Sequence, residues 1–482
     1  MSIKKNYIAS LTQVFVNLVF PIITFPYVAR ILGPEGIGKF AYVNAIVFYF
    51  TIFIHLGIPL YGTRIVAKKR KNQAELNQTI TELFIIYLIS TFAVALAFIF
   101  YLSFINSRED MIIMLIIAGL NILIAPLSFN WVLQGLEKHR LISAISVFAK
   151  SINLILLLLL ITNSDDYIIY LTISIIINLI TALGGFYLRG RYSSFTLNKI
   201  QIKRHLKPIV LTSGINVTES LFFQLNILML GNMRSPLEVG LYTAAIRFIR
   251  LADGLINILG RIAMPRISFY FEKNMTKELE ELVKDLFYIG LILSVPATFG
   301  IIAVSEEVIL ILAGKQYVDA ILCLQILAVS IVVANISTFY YNQVLFPRGE
   351  DKKILIRNCL VLILGLIGNF ILIKTHSYNG AAVSLLIANI VGVLIYALYS
   401  KKLITFTFFN IDTFKVFLSS ACMFIFIFYV PKLLTENIYI LLPFKIASGA
   451  ILYSLMMYLL KEKHFEKYFK RLLIKVFKIK KN

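Results

Sequence analysis

Residues 152–161 read INLILLLLLI, an apolar run with one asparagine and no alternation of polar and apolar positions. A strand of a membrane β-barrel alternates over about 10 residues, whereas a helix needs roughly 20 mostly apolar residues to cross about 30 Å of hydrocarbon. Helices and closed barrels are the structures that satisfy their backbone hydrogen bonds within lipid. The run therefore predicts a membrane-spanning α-helix, and similar runs recur along the whole chain.

The composition of the 482-residue chain agrees with a membrane protein. Apolar residues make up 59% of it and charged residues 15%, whereas a soluble domain is roughly 25% charged. We therefore predict an all-α integral membrane protein of about fourteen transmembrane helices. The predicted spans are 7–31, 38–62, 80–103, 111–135, 141–162, 166–188, 208–231, 240–265, 285–304, 319–345, 354–373, 379–400, 413–430 and 438–460.

The 47 lysines and arginines are distributed asymmetrically, and the net charge is +22. In a soluble protein this charge would suggest a nucleic-acid partner, but lysine and arginine also mark the cytoplasmic loops of membrane proteins. About 34 of the 47 fall in alternate connections between the predicted spans. We therefore predict an even number of spans, both termini in the cytoplasm, and no nucleic-acid partner.

The two ends of the chain carry distinct signals. The first apolar run, residues 7–32, is too long for the core of a signal peptide and lacks a cleavage site, so we predict that it is retained. Residues 461–482 combine basic residues with spaced aromatic and aliphatic ones. This pattern predicts a basic amphipathic cytoplasmic tail that lies on an anionic leaflet, with a partner-binding helix as the alternative.

An internal repeat relates the two halves of the sequence. At an offset of 202 residues, PEGIGKF at 34–40 aligns with PLEVGLY at 236–242, and Arg64 falls on Arg266. A weaker match, NWVL at 130–133 with NQVL at 342–345, needs an insertion of ten residues. We predict two parallel six-helix bundles at 1–190 and 191–402, two further transmembrane helices at 403–460, and the tail at 461–482, with the substrate site between the bundles.

Polar and charged residues form a stripe along the predicted eighth span. A charged side chain at the centre of a membrane helix costs about 2.5 kcal/mol or more, and it usually faces a cavity or a partner. The members of the stripe recur every three or four residues, within about 120° of arc; they are Arg247, Arg250, Asp253, Asn257 and Arg261. Other spans contribute Asn17, Asn44, His55, Lys150, Asn216, Glu219 and Asn226.

Cations outnumber anions among these residues, which predicts a water-filled, net-positive cavity suited to an anionic substrate. The candidate substrate-binding residues are Arg247, Arg250, Lys150, Arg261 and Asn257; the candidates for ion coupling are Glu219, Asp253 and His55; the polar lining is Asn17, Asn216, Asn226 and Asn44. Three alternatives stay open. The carboxylates can pair with arginines in helix packing, Lys150 and Arg261 can extend to the ends of their spans, and His55 and the asparagines can bond neighbouring helices.

Motifs of catalysis are missing from the sequence. It contains no Walker loop, no dinucleotide-binding glycine pattern, no metal-spaced histidine and cysteine cluster, and no nucleophile elbow. We therefore predict no cofactor, no metal site, no catalytic residue and no enzymatic activity. A membrane polymerase, the alternative from a different class, would normally bring a sizeable outer loop, and none is present.

Residues 25–40, FPYVARILGPEGIGKF, resemble the N-terminal signature of the Wzx oligosaccharide flippases of O-antigen and capsule pathways. QGLE at 134–137, after the fourth span, is also similar to these proteins. The resemblance extends over most of the chain in length, span number and topology. It places the sequence in the polysaccharide branch of the multidrug/oligosaccharidyl-lipid/polysaccharide exporter superfamily.

The resemblance implies a central cavity between two six-helix bundles. It also implies translocation of a polyprenyl-pyrophosphate-linked oligosaccharide to the outer leaflet by alternating access, with coupling to an ion gradient. The resemblance further implies a location in the bacterial cell (inner) membrane, with membrane lipids, a polysaccharide polymerase and a chain-length regulator as the expected partners. The alternatives are a flippase for teichoic-acid or peptidoglycan precursors and a multidrug exporter of the same superfamily, which would favour acidic residues in its cavity.

Overall fold

The computed structural model describes residues 3–105, 108–198, 200–401, 403, 410–429 and 437–468. In residues 3–19, and at several positions within 211–223 and 258–262, the description covers the backbone alone. The described part of the chain is built from helices and contains no β-strand. The α-helices are α1 (Ile3–His55), α2 (Ile58–Lys69), α3 (Gln73–Phe104), α4 (Glu109–Ile124), α5 (Asn130–Gly135), α6 (His139–Leu160), α7 (Tyr167–Gly190), α8 (Lys203–Met233), α9 (Pro236–Ile256), α10 (Ile258–Glu272), α11 (Thr276–Ala303), α12 (Ser305–Leu312), α13 (Ala320–Phe339), α14 (Asp351–Ser400), α15 (Ile411–Tyr429) and α16 (Ile438–Leu459).

Ten helical stretches of the described chain are long and apolar enough to cross a membrane. One of them, Asp351–Ser400, has 50 residues, more than twice the roughly 20 that one span needs. It is interrupted at Ser377, where φ is +48°. In the same way, α1 is interrupted at Gly33, whose φ of +66° is readily adopted by glycine. The all-α membrane fold predicted from the apolar runs is confirmed.

Three predicted spans are broken inside. The second one ends as α1 at His55 and resumes as α2 at Ile58, because Leu56 and Gly57 between them both have positive φ. The fourth one divides into α4, a 3-10 turn at Ala125–Leu127 and α5, because Pro126 has no amide hydrogen to continue an α-helix. The eighth one is interrupted at Asn257, between α9 and α10. The predicted stripe is therefore shared between two helices, with Arg261 on the second of them.

The chain divides into two compact units, Met1–Gly240 and Leu241–Asn482. In the first unit α8 packs against α1 and α2. Two tyrosines of α1 fix this contact, because Tyr42 Oη donates to Asn232 Oδ1 at 2.6 Å and Tyr49 Oη donates to Leu221 O at 2.9 Å. The bundle boundaries at 190 and 402 and the separate trailing helices stay a prediction.

A buried polar network joins three helices of the first unit. The Glu82 carboxylate on α3 is fully buried. It accepts hydrogen bonds from Arg204 Nη2 at 2.6 Å and from the His205 ring at 2.7 Å, both at the start of α8. Tyr61 of α2 bonds the other nitrogen of His205 at 2.7 Å. Since every member has a partner, the network satisfies a carboxylate that would otherwise be costly to bury.

In the second unit α11 packs against α13 and α15, and α15 packs against α16. Lys445 of α16 forms a buried ion pair with Glu307 of α12. The segment after α16 is helical again at residues 463–468 and lies against α11. Residues 469–482 of the predicted amphipathic tail lie outside the described residues.

Candidate functional site

A polar cavity of about 300 Å³ lies among three helices of the first unit. The second half of α1, the end of α4 with its 3-10 turn, and the middle of α7 form its walls. Amide and hydroxyl side chains alternate in the lining with aliphatic ones. The lining residues are Asn44, Val47, Phe48, Thr51, His55, Asn121, Ile124, Ala125, Ser128, Asn178, Thr181 and Ala182.

The α1 wall of this cavity is a single helical face. Asn44, Thr51 and His55 follow one another at spacings of seven and four residues, which brings them to the same side of a helix. Asn44 Nδ2 donates to Phe40 O at 2.8 Å, and Thr51 Oγ1 donates to Phe48 O at 3.1 Å. Each donor therefore has a partner on its own helix, while the side-chain oxygens keep acceptor capacity for a ligand.

The opposite walls are joined by an amide pair. Asn178 Nδ2 on α7 donates to Asn121 Oδ1 on α4 at 3.0 Å. On the α1 side, His55 Nδ1 lies 3.2 Å from the hydroxyl of Tyr87, a buried residue of α3. None of the twelve described lining residues is a lysine, an arginine or a carboxylate. The cavity thus offers neutral hydrogen-bonding groups of the kind that match the hydroxyl groups of a sugar.

The predicted cationic face lies on α9, in the second unit. Arg247 is half-buried and Arg250 is exposed. Asp253, one turn further on, is half-buried, and its Oδ1 has no hydrogen-bond partner among the described residues. Asn257 lies at the break before α10 and lines a small cavity of about 20 Å³ together with Asn335, Thr338 and Gln343. The structure thus places four members of the predicted stripe along one helix and its end.

Four other predicted residues lie in the first unit. Lys150 on α6 is half-buried, with its Nζ 5.4 Å from the centre of the Phe20 ring. Asn226 on α8 is buried, with 1% of its surface exposed. Asn44 and His55 line the cavity of the first unit. The side chains of Asn17, Asn216, Glu219 and Arg261 lie outside the described residues.

Sequence reasoning missed two residues of the polar cavity, Asn121 and Asn178. Each interrupts an otherwise apolar helix, and Asn178 has Ser174 and Thr181 four residues before and three residues after it. This spacing is a polar stripe like the others. The spacing of Ser174, Asn178 and Thr181 could therefore have identified the polar face of α7 from the sequence. The pairing of Asn178 with Asn121 could not, because it depends on tertiary structure.

The repeat offset of 202 residues relates the two faces. It aligns Phe48, Thr51 and His55 of the cavity wall with Arg250, Asp253 and Asn257. The α9 stripe therefore occupies the register that, in α1, faces a cavity. The difference is chemical, because an aromatic ring and a hydroxyl are replaced by a guanidinium and a carboxylate.

The repeated Pro-x-x-(Ile/Val)-Gly motif is itself a packing contact. A Cβ atom on Gly38 would lie 1.7 Å from Pro236 O, and one on Gly240 would lie 1.8 Å from Pro34 O. The two helix starts thus meet backbone to backbone, each glycine against the proline of the other copy. This reciprocal contact fixes the beginning of the α1 wall and the beginning of α9 relative to each other.

Comparison with known proteins gives concordant matches. Residues 3–271 match the family described as "Polysaccharide biosynthesis protein". The chain is 26% identical to the "Putative O-antigen transporter" of Escherichia coli (strain K12), with 80% of this chain and 94% of that protein covered. It is 21% identical to the "Capsular polysaccharide biosynthesis protein CapF" of Staphylococcus aureus, with 78% and 93% covered.

Two solved structures share the fold. The inward closed conformation of the lipid II flippase MurJ has a TM-score of 0.76 at 17% identity, and the match covers 97% of this chain and 100% of that one. The inward-facing conformation of a multidrug resistance MATE family transporter of the MOP superfamily has a TM-score of 0.65 at 16% identity, with 81% and 94% covered. Both likenesses concern the arrangement of helices.

Proposed function

The chain belongs to the polysaccharide biosynthesis protein family, and on this premise we propose that it is a flippase for polyprenyl-pyrophosphate-linked oligosaccharide repeat units. It moves the polar headgroup from the cytoplasmic to the outer leaflet of the bacterial cell membrane while the polyprenyl chain stays in lipid. The relatives named for O-antigen transport and for capsule synthesis support this substrate class.

The observation that carries the proposal is the charged face of α9, with Arg250 exposed and Arg247 and Asp253 half-buried. An arginine within the bilayer is expensive unless it meets water, a counter-ion or a substrate. Arg250 is exposed and stands in the register of a cavity wall. Guanidinium groups bind phosphate oxygens in pairs, so Arg247 and Arg250 contact the pyrophosphate, with Lys150, Arg261 and Asn257 as further contacts.

The neutral cavity of the first unit is a second candidate contact for the headgroup. Its amides and hydroxyls, among them Asn44, Asn121 and Asn178, suit an uncharged saccharide rather than a phosphate. Asn17, Asn216 and Asn226 extend the polar lining in our proposal. We therefore assign recognition of sugar hydroxyls to α1, α4 and α7 of the first unit.

Transport proceeds by alternating access of two six-helix bundles and is coupled to an ion gradient. The candidates for the coupling group are Asp253, Glu219 and His55. Both termini lie in the cytoplasm, and a polysaccharide polymerase with its chain-length regulator receives the flipped product. These finer statements rest on the distribution of charge along the sequence and on the family.

The test is complementation of a strain whose own copy of this gene is deleted. Arg247→Ala combined with Arg250→Ala should lower surface polymer at least about tenfold and cause lipid-linked repeat units to accumulate, since loss of a charged contact to phosphate is worth about 1.4 kcal/mol or more. Normal polymer at normal expression would refute the role of the two arginines. Arg140→Ala, which removes an exposed arginine at the start of α6, is the matched control.

A peptidoglycan-precursor flippase is the second candidate. The observation that favours it is the match to MurJ over 97% of this chain. The substrates share a polyprenyl pyrophosphate, so the arginine variants do not separate the two candidates. Rescue of growth in cells depleted of their lipid II flippase, without any effect of gene deletion on surface polymer, would support this candidate against the first.

A further inference from the structure

Three side chains capable of binding a metal converge at one end of the last two helices, in the second unit. They are Asp412 in the first turn of α15, and Glu462 and His464 in the segment that follows α16. Each offers one ligand atom, and these three atoms lie within 4.8 Å of one another. The spacing along the chain, 50 residues from Asp412 to Glu462, gives no metal motif, so the cluster is a product of folding.

Both carboxylates of the cluster are buried. Asp412 keeps 7% of its surface exposed and Glu462 keeps none. Asp412 Oδ1 and Glu462 Oε1 have no hydrogen-bond partner among the residues that the structure describes. Two buried carboxylates this close repel each other, and each is costly to desolvate, unless a cation or a proton compensates them.

Lys415 compensates one of the two acids incompletely. Lys415 Nζ lies 3.7 Å from Asp412 Oδ1, beyond hydrogen-bonding distance, and donates instead to Lys461 O at 3.3 Å. The second oxygen of Glu462 accepts from the backbone amide of Phe465. Of the two acids, Glu462 therefore has the greater need of a compensating positive charge, at its unpartnered Oε1.

The third member, His464, is held as metal-bound histidines usually are. Its Nδ1 lies 3.0 Å from Asp285 Oδ1 of α11, and its ring stacks on Tyr288 with centres 4.2 Å apart and planes at 12°. A carboxylate that accepts from one ring nitrogen fixes the tautomer and leaves the lone pair of the other nitrogen, here Nε2, for a metal. Asp285 is in turn held by Lys467 and Tyr468.

We propose that Asp412, Glu462 and His464 bind a divalent transition-metal cation, with Zn²⁺ as the best match to two carboxylates and one imidazole. The cation neutralises both carboxylates. It joins the start of α15, the segment after α16 and, through Asp285, α11. The site is independent of the proposed transport function, and its role is to fasten the base of the C-terminal tail.

The test uses the full-length chain purified in detergent, loaded with Zn²⁺ and freed of excess ion. The expected result is about one bound zinc per chain by elemental analysis, with a Tm that falls by several degrees on chelation and recovers on addition of Zn²⁺. The chelation experiment needs no variant and so does not depend on a mutant's folding. Wild-type protein that binds no zinc and whose Tm ignores the chelator would overturn the proposal.

Variants identify the ligands. Glu462→Gln and Asp412→Asn should each lower bound zinc at least tenfold and abolish the response of Tm to chelation. The control is Glu280→Gln, which changes an exposed carboxylate on α11. It should keep both the bound zinc and the response of Tm to chelation. If Glu462→Gln instead raises the Tm while wild-type protein stays free of zinc, the two acids share a proton and the metal proposal is wrong.

Discussion

The second half of α1 and the helix α9 start from the same motif and carry opposite chemistry. Both begin at a proline and a glycine that contact their counterparts in the other copy. Ten residues after the glycine, however, α1 presents Phe48 and α9 presents Arg250. The α1 face lines a neutral cavity, whereas the α9 face combines two arginines with Asp253.

The two copies of the repeat thus share the backbone contact at their glycines, whereas the side chains further along differ. The backbone contact at the two glycines has no room for even a methyl group, so it constrains both copies alike. The side chains further along are constrained by burial in the bilayer alone, where neutral amides and solvated charges are both feasible. One scaffold therefore offers a neutral face for hydroxyls and a charged face for an anion.

Breaking the shared contact should have the largest effect. Gly38→Ala places a methyl carbon 1.7 Å from Pro236 O, and Gly240→Ala makes the reciprocal clash with Pro34 O. Neither neighbour is a flexible side chain, so the helix starts must separate, at a cost of about 3 kcal/mol or more. We expect poor yield, a lowered Tm in detergent, and loss of polymer for both variants.

The control for these variants is Gly190→Ala at the end of α7, where an added Cβ meets nothing within 4 Å. It should behave as wild type in both assays. A stable and active Gly38→Ala protein would mean that the two motif copies are not held in contact, and the comparison of α1 with α9 would lose its structural basis.

The aligned pair of Thr51 and Asp253 sharpens the chemical side of the comparison. Asp253→Asn keeps the shape but removes the charge and the buried carboxylate oxygen that lacks a hydrogen-bond partner among the described residues. If Asp253 couples transport to an ion, the variant should lower polymer at least about tenfold, or about 1.4 kcal/mol. Thr51→Val should lower polymer less than Asp253→Asn does, because it removes an uncharged hydroxyl that already donates to its own helix.

The readout for this pair is the rate of repeat-unit transfer in vesicles with and without an imposed proton or sodium gradient. Asp253→Asn should abolish the stimulation by the gradient and leave gradient-independent transfer intact. Equal stimulation in Asp253→Asn and wild type would assign the coupling to another group.

The neutral cavity allows a smaller, structural test. Asn178→Leu removes the donor to Asn121 Oδ1 and leaves a polar atom between α4 and α7 without that partner. Because Asn178 is exposed to the cavity, we expect a loss of about 1 kcal/mol or less in stability and a small decrease in Tm, measured beside Asn178→Asp, which keeps the shape of the side chain. An unchanged Tm in Asn178→Leu would show that the amide pair does not hold the cavity walls together.

The sequence predicted the helices well and the cavities unevenly. Apolar runs of about 20 residues indicate the spans directly, and the gap left between the predicted spans 7–31 and 38–62 contains the break at Gly33. The part of the stripe on α9 follows from helical spacing, whereas the break at Asn257, which puts Arg261 on α10, was not predicted. The Asn121–Asn178 pair and the cluster of Asp412, Glu462 and His464 bring together residues from different helices, and their convergence is set by packing that spacing does not encode.

The smallest effect is expected at His55, which the repeat aligns with Asn257. His55→Asn introduces the residue found in the other copy, and a short amide still suits a polar cavity wall. The substitution weakens one contact, between Nδ1 and the Tyr87 hydroxyl at 3.2 Å, so we expect a change in stability within about 1 kcal/mol. Polymer in the complementation assay should stay within about twofold of wild type.

His55→Leu, which cannot bond Tyr87, is the companion variant and should lower the Tm further. A loss of gradient-driven transfer in His55→Asn with an unchanged Tm would instead make His55 the coupling group, and the neutral face of α1 would then carry the chemistry that we assign to Asp253.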